Sequence, residues 1–255
     1  MLGIFLKLFR KSRKIHRRPP LSQCFGPRDS PANNTIYAAN RVKNEILIWT
    51  KDSVDPTKTI SGTLSDPYSI FVTYNGDIYI NNGGEPNRRV DKWILSTDTL
   101  VTVMNVNASC FAIFVDMNDI LYCSIYEQHK VMRQWLIHND IIITIVVGTD
   151  SNGSALNERN GPMGIFVELN FDLYVADCAN DRIQLFQSEQ INAKTIAGVS
   201  SSDISIPLSS PNGILANTDK YLFIVDGSNH RIVGSGPNGF RCLIGCNDRG
   251  SESNQ

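Results

Sequence analysis

The chain has 255 residues, of which 42% are hydrophobic and 19% carry a charge. This composition excludes a disordered chain, and the length is sufficient for one large β-domain. The formal net charge of −1 is unevenly distributed, because residues 1–18 hold seven Lys and Arg side chains and no acid. Residues 19–255 therefore carry 17 basic and 25 acidic side chains. An acidic body argues against non-specific binding to the phosphates of nucleic acid.

Residues 1–30 are predicted to form a basic, disordered leader. The apolar stretch Met1–Phe9 is interrupted by Lys7 and is far shorter than the roughly 20 residues that a transmembrane helix needs. It does not match a signal peptide, because the basic residues follow the apolar stretch and no small-residue cleavage site comes after them. Two interpretations stay open: a basic segment that contacts a membrane surface or acts in targeting, and an unstructured leader or misplaced start codon.

Residues 31–249 repeat one pattern, in which an apolar triplet, a polar turn and a second apolar triplet centred on an aromatic residue follow one another. The clearest copy runs from Gly164 to Asp177. The aromatic anchors of the five copies are Tyr37, Tyr79, Tyr122, Tyr174 and Phe223. Successive anchors are 42 to 52 residues apart, and each is followed by a third apolar run and a β-branched fourth run. This spacing predicts four antiparallel strands in each repeat.

Four-stranded repeats of this length are typical of the blades of a β-propeller. Helical repeats do not fit, because the apolar runs are only four to seven residues long and rich in β-branched residues. A blade buries both faces against its neighbours, so its inner strands are expected to be continuously apolar, as they are here. The sequence therefore predicts an all-β fold, a β-propeller of about five four-stranded blades, of which the first copy supplies only the second half.

Two copies, residues 161–184 and 210–232, resemble an NHL repeat, and the second includes the Asn229-His230-Arg231 element. The copies around Tyr79 and Tyr122 retain the strands without that element. The resemblance implies an NHL-type β-propeller, a fold that usually has six blades. Five copies then imply a propeller that is incomplete or open relative to six blades, with residues 250–255 as a truncated loop between blades.

The two NHL-like copies share a turn motif with a structural interpretation. In each copy an Asp ends the second strand, an Asn follows three residues later in the turn, and an Arg begins the third strand. Asn tolerates a left-handed backbone, and the Arg can reach back to the Asp across the turn. The residues are Asp177, Asn180, Arg182, Asp226, Asn229 and Arg231. A motif that recurs from blade to blade indicates a structural role rather than a ligand site.

No motif of a catalytic, cofactor-binding or metal site is present. The four histidines, His16, His129, His138 and His230, do not have zinc-ligand spacing to another His, Cys or acid. A Gly-rich phosphate loop and a Gly-x-Ser-x-Gly elbow are also absent from the sequence. One enzymatic alternative stays open, because NHL-like propellers include a zinc-dependent amidating lyase whose zinc ligands come from different blades.

The cysteines and glycosylation sequons indicate the secretory pathway. We expect disulfides between Cys110 and Cys123, on the first two strands of one blade, and between Cys242 and Cys246, which requires a turn at Gly245. The alternative is four reduced, buried cysteines. Asn-x-Ser/Thr sequons occur in predicted loops at Asn33, Asn107 and Asn152. Together these features favour an extracellular location, with the cytoplasm as the alternative.

The combined features favour a non-catalytic scaffold, without a cofactor, that binds a protein partner through varied loops on one rim of the propeller. One alternative is an RNA-binding or ubiquitin-ligase substrate-recognition module, as in NHL proteins that carry a RING module. The dense Cys and His spacing of a RING is absent here. The second alternative is the zinc-dependent lyase. Nucleic acid is not the expected partner of an acidic body, and any membrane contact would involve the basic leader.

Overall fold

The computed structural model describes residues 35–246 except 51, 87, 138–141, 149–159, 189, 191, 200, 202–205, 218 and 237. The expected leader 1–30 and tail 250–255 lie outside the described residues. Within the described part, the chain forms five antiparallel sheets in chain order and one short 3-10 turn. No helix in the described part of the chain is long and apolar enough to cross a bilayer. The chain groups into two compact units, 1–113 and 114–255.

The first sheet has three strands and each later sheet has four. In chain order the strands are β1 (Ile36–Asn40), β2 (Glu45–Trp49), β3 (Lys58–Ile60); β4 (Pro67–Val72), β5 (Ile78–Asn82), β6 (Arg89–Ile94), β7 (Thr99–Asn105); β8 (Cys110–Val115), β9 (Ile120–Ile125), β10 (Lys130–Trp135), β11 (Ile143–Val147); β12 (Pro162–Val167), β13 (Leu173–Asp177), β14 (Arg182–Phe186), β15 (Lys194–Gly198); and β16 (Pro211–Ala216), β17 (Leu222–Asp226), β18 (Arg231–Gly236), β19 (Gly239–Ile244). The 3-10 turn Cys178–Asn180 connects β13 to β14.

The predicted all-β propeller with about five blades is confirmed. Each four-stranded sheet is a meander in which every strand pairs with the next along the chain. The first sheet contains the equivalents of the second, third and fourth strands, since Tyr37 on β1 faces Ile48 on β2 as Tyr79 on β5 faces Lys92 on β6. The half repeat expected at the start is therefore a three-stranded sheet in the described residues.

The aromatic anchors lie at one equivalent position, on the second strand of each full sheet. Tyr79, Tyr122 and Tyr174 are buried, and Phe223 is half-buried. An aromatic side chain that is less than about a tenth exposed contributes several kcal/mol to the free energy of folding, because its ring is removed from water. The inner three strands of each sheet provide most of the core, because their side chains are covered on both faces.

Neighbouring inner strands come close enough to require glycine in the second unit. A Cβ atom on Gly164 of β12 would lie 2.6 Å from the Cα atom of Gly213 on β16. Only glycine allows two backbones to approach this closely. This contact brings the fourth and fifth sheets together around the apolar cluster that includes Ile183, Ile214 and Ile224.

A second glycine position recurs where the fourth strand of a sheet ends. These glycines have φ values of 94°, 85° and 72°, and they are Gly148, Gly198 and Gly245. A Cβ atom on any of them would lie within 2.3 Å of the carbonyl oxygen of the left-handed residue that precedes the third strand. The fourth strand therefore ends packed against the turn between the second and third strands.

Candidate binding surface

Asp177 connects three parts of its sheet at one end. Its Oδ2 atom accepts from Arg182 Nε at 2.8 Å and from Asn180 Nδ2 at 3.0 Å. Its Oδ1 atom accepts from the backbone N–H of Asn160, in the loop before the first strand, at 2.9 Å. The carboxylate is fully buried and the Arg182 side chain is only 4% exposed. All of these bonds are internal, so the carboxylate is occupied in holding the turn and the loop together.

The fifth sheet repeats this arrangement. Asp226 accepts from Arg231 Nε at 2.7 Å, from Asn229 Nδ2 at 2.9 Å and from the backbone N–H of Ser209 at 2.6 Å. The Arg231 side chain is 22% exposed, so this pair is less buried than the first. The six motif residues therefore lie together in two groups, one in each sheet, and they contact the chain itself.

The second sheet contains a variant of the motif that the sequence did not reveal. Asn82 occupies the Asp position, and its Oδ1 atom accepts from Ser65 N at 2.6 Å. The carboxylate is supplied instead by Asp91, which accepts from Arg89 Nε at 2.8 Å and from Asn82 Nδ2 at 2.7 Å. Asn82 follows its aromatic anchor by three residues, as Asp177 and Asp226 follow theirs. That spacing was the signal available in the sequence.

Neighbouring sheets are linked at this same end by a second recurring hydrogen bond. In each case the donor is the backbone N–H of the residue directly before the first strand of a sheet. The acceptor is the side chain of a turn residue with a left-handed backbone in the preceding sheet. The pairs are Asp66 with Asn44 at 2.7 Å, Gly161 with His129 at 3.1 Å, and Ser210 with Asp181 at 2.7 Å. His129 thus uses Nδ1 as a structural acceptor.

The same end of the first unit carries an aromatic patch, defined here as Arg41, Asp66, Tyr68 and Phe111. The Arg41 guanidinium binds Asp66 through two hydrogen bonds of 2.7 and 2.9 Å and lies 4.7 Å from the centre of the Tyr68 ring. The Tyr68 and Phe111 ring centres are 4.6 Å apart. The Arg41 and Asp66 side chains are 41% and 42% exposed, and both rings are half-buried.

Electrostatics and geometry fix the orientation of the patch. The hydrogen bond to Asp66 is the main cause of a raised pKa at Arg41, so the guanidinium stays charged over the ring. Sequence reasoning missed this patch. The available signal was an aromatic residue at the second position of two successive first strands, since Tyr68 and Phe111 are as far apart as the anchors Tyr79 and Tyr122.

The opposite end of the sheets contains buried acids that hold the turns between first and second strands. Asp116 Oδ1 accepts from the backbone N–H groups of Asn118 and Ile120, and its Oδ2 accepts from the Tyr122 hydroxyl at 3.2 Å. Burial, followed by the charge of Asp116, raises the pKa of Tyr122 to about 12. Burial is also the first cause of the raised pKa of Tyr174, with Glu168 and Asp172 adding to it. These phenols remain protonated.

The metal ligands that the lyase alternative would require do not assemble in the described part of the chain. No group of three or more His, Cys, Asp or Glu side chains there could hold a metal ion. His230 lies in a left-handed turn conformation, with φ of 53°. His16 and His138 lie outside the described residues.

Both expected cysteine pairs are bonded. Cys242 and Cys246 form a disulfide with Cα atoms 5.7 Å apart, across the left-handed turn at Gly245. Cys110 and Cys123 form the second disulfide within the third sheet. Cys178 is a free, buried thiol, and burial is the main cause that raises its pKa to about 11.

Of the three expected sequons, the one at Asn107 falls in the described part of the chain. Its side chain is exposed in the loop between β7 and β8, which is the situation that attachment of a glycan requires. Asn33 and Asn152 lie outside the described residues.

Neither a protein-family model nor a curated protein sequence matches the chain. Several solved structures do. An auxiliary nutrient binding protein from Bacteroides thetaiotaomicron is 17% identical, with a TM-score of 0.64 over 82% of this chain and 56% of that protein. Virginiamycin B lyase from Staphylococcus aureus is 16% identical, with a TM-score of 0.60 over 88% of this chain and 69% of the lyase.

A catalytically inactive histidine-to-alanine variant of the same lyase, solved with quinupristin, is 17% identical, with a TM-score of 0.59 and the same coverage. This chain spans little more than half the length of the nutrient binding protein. At identities this low the likeness concerns the fold alone. The chain has the fold of a β-propeller.

Proposed function

We propose that this chain is a non-catalytic binding protein of the NHL β-propeller type, which recognises a protein partner with loops at one end of its sheets. The observation that carries the proposal is the aromatic patch. It presents an arginine, a tyrosine and a phenylalanine at the end of the sheets where the turns and loops are held by internal hydrogen bonds. The two NHL-like turn motifs support the assignment to that type of propeller.

The chemistry of the patch favours recognition of a protein. Arg and Tyr are enriched among the residues that contribute most to protein–protein binding. Asp66 already holds the Arg41 side chain in place, so little side-chain entropy is lost when a partner binds. The backbone below is equally constrained, because Asp66 N is bonded to Asn44. A rigid scaffold that displays a pre-oriented cation and half-exposed rings is suited to bind without rearrangement.

The strand β4 provides a matched control, because one tyrosine lies at its start and another lies in the turn that follows it. Tyr68 belongs to the patch, whereas Tyr74 lies in the turn at the opposite end and is 85% exposed. In the experiment, the wild-type chain would be used to capture proteins from a secreted fraction. The captured proteins would be identified, and their affinity for the wild-type chain would be measured. We expect Tyr68→Ala and Arg41→Glu to weaken binding about 30-fold or more, as for a hot-spot residue, and Tyr74→Ala to leave it unchanged.

Equal losses in all three variants, or none in the two patch variants, would exclude the patch as the recognition surface. Circular dichroism of each variant would verify that the fold is intact. Arg41→Glu is informative here because its side chain is 41% exposed and its ion pair lies at the surface, so its effect on stability should be small.

The two alternatives give different outcomes in simple experiments. An RNA-binding module would retain RNA at physiological salt, and mutation of the patch would not be expected to release it. A lyase-like enzyme, which the structural neighbours motivate, would contain stoichiometric zinc in the case of an amidating lyase, or would convert quinupristin in the case of a virginiamycin B lyase. Either result would replace the binding proposal.

Secretion is part of the same proposal. The two disulfides are consistent with an oxidising compartment. The exposed sequon at Asn107 supports the same location.

A further inference from the structure

The two disulfides differ sharply in their exposure to solvent. Cys110 and Cys123 are both fully buried. Cys246 is exposed and Cys242 is half-buried, at the end of the outer strand β19. Thiolates attack disulfide sulfurs directly, so the rate of exchange depends on access to the sulfur. The Cys242–Cys246 bond is open to such an attack, whereas the buried bond is not.

The turn that the exposed disulfide spans also forms elsewhere without a disulfide. In the fourth sheet, Gly198 makes the same left-handed turn at the end of β15, with φ of 85° against 72° at Gly245. Both turns follow the same irregularity in pairing, in which Gln184 faces Thr195 as Val233 faces Cys242. Thr195 and Val199 occupy the places of the two cysteines. The crosslink is therefore an addition to a turn that does not need it.

We propose that Cys242–Cys246 is a thiol–disulfide exchange site, which a dithiol reductant of the thioredoxin class opens while the sheets stay folded. A thiolate of the reductant attacks the exposed sulfur of Cys246, and the electron pair of the S–S bond leaves on Cys242, which takes a proton from water. The second thiol of the reductant then loses its proton and displaces Cys246, whose thiolate takes up that proton. The protein gains two electrons and two protons, and the reductant becomes a disulfide.

Opening the bond affects a defined part of the fifth sheet. Gly245 packs against the turn 227–230, since a Cβ atom there would lie 2.3 Å from the carbonyl oxygen of His230. Without the crosslink, the pairing of Ile244 with Ile232 and this packing still hold the end of β19. Reduction should therefore loosen residues 244–246 and the adjacent turn while the inner strands stay protected.

The exchange site can be tested on the full-length, air-oxidised protein without knowledge of any binding partner. The protein is incubated with thioredoxin and its reductase system, trapped with N-ethylmaleimide, and digested for mass spectrometry. We expect Cys242 and Cys246 to be labelled at least about a hundredfold faster than Cys110 and Cys123, because the buried pair reacts only through large-scale opening. Hydrogen exchange should accelerate only in residues 227–230 and 244–246.

The double variant Cys242→Ser/Cys246→Ser provides the matched control. We expect it to fold, to retain the hydrogen exchange of the inner strands, and to show the loosened segment without any reductant. Equal labelling of both pairs, free thiols at 242 and 246 in the oxidised protein, or unfolding of the double variant would overturn the proposal. These readouts are independent of partner binding, so a failure of the binding proposal would not alter them.

Discussion

Exchanging Asp177→Asn together with Gln184→Asp should move the buried carboxylate of the fourth sheet to the place that it occupies in the second sheet. Gln184 lies two residues after Arg182, as Asp91 lies two residues after Arg89. With its amide oxygen turned to the guanidinium, Gln184 accepts from Arg182 Nε at 2.7 Å. A carboxylate at position 184 would meet the same guanidinium.

The single change Asp177→Asn should be costly, because it removes the carboxylate that pairs with the buried guanidinium of Arg182. Breaking a buried ion pair on one side typically costs about 3 to 5 kcal/mol. Asn retains the acceptor oxygen for Asn160 N, so we expect the lower limit, about 3 kcal/mol. For a chain of this size, this corresponds to a fall in melting temperature of about 6 to 12 °C.

The double variant should recover most of that loss, since Asp at 184 pairs with Arg182 and Asn at 177 can donate to it, as Asn82 donates to Asp91. Thermal melting of the wild type, both single variants and the double variant forms a complete double-mutant cycle. A double variant no more stable than Asp177→Asn would refute the equivalence of the two sites. A loss below about 1 kcal/mol in Asp177→Asn would refute the role of the buried pair.

Three further predictions concern separate sites. Burial would raise the pKa of Asp77, but its bonds to Lys92 and the backbone outweigh burial and lower the pKa. Asp77→Asn should therefore reduce the melting temperature above about pH 4. The difference from wild type should shrink as the pH falls below the ordinary pKa of Asp. Gly164→Ala should destabilise the fold by about 1 to 3 kcal/mol through a backbone clash. Gly236→Ala should not, because its Cβ would meet nothing closer than 3.8 Å. Equal melting temperatures of the two variants would contradict this. Expression through a secretory pathway should attach an N-glycan at Asn107 that peptide N-glycosidase F removes and Asn107→Gln eliminates, and an unchanged mass in that variant would exclude the site.

The strands were predictable because both faces of a blade are buried. Continuous apolar runs such as 78–80 in β5 and 173–176 in β13 identify inner strands without any knowledge of contacts. The aromatic anchors fix the register of one repeat against the next for the same reason. The left-handed turn at Gly245 was also predictable, because two cysteines four residues apart cannot be joined along an extended strand.

The aromatic patch was not predictable, because it depends on side chains that meet across sheets. Arg41 and Tyr68 are 27 residues apart in the sequence, and periodicity says nothing of which turn residue reaches which ring. Asn82 and Asp91 were missed for a different reason. The Asp position of the motif is occupied there by Asn82, and the carboxylate comes from Asp91, which lies outside the motif.

The hydrogen bonds at the base of the loops have a consequence for how this protein can vary. In three sheets the last two loop residues before the first strand donate their backbone N–H groups to side chains of the turns, at Ser65–Asp66, Asn160–Gly161 and Ser209–Ser210. The connections between a fourth strand and the next first strand range from four to fourteen residues, so their length is decoupled from the strand register. New residues inserted upstream of these hydrogen bonds would change the displayed surface without shifting any strand, which makes these points suitable for grafting foreign recognition sequences.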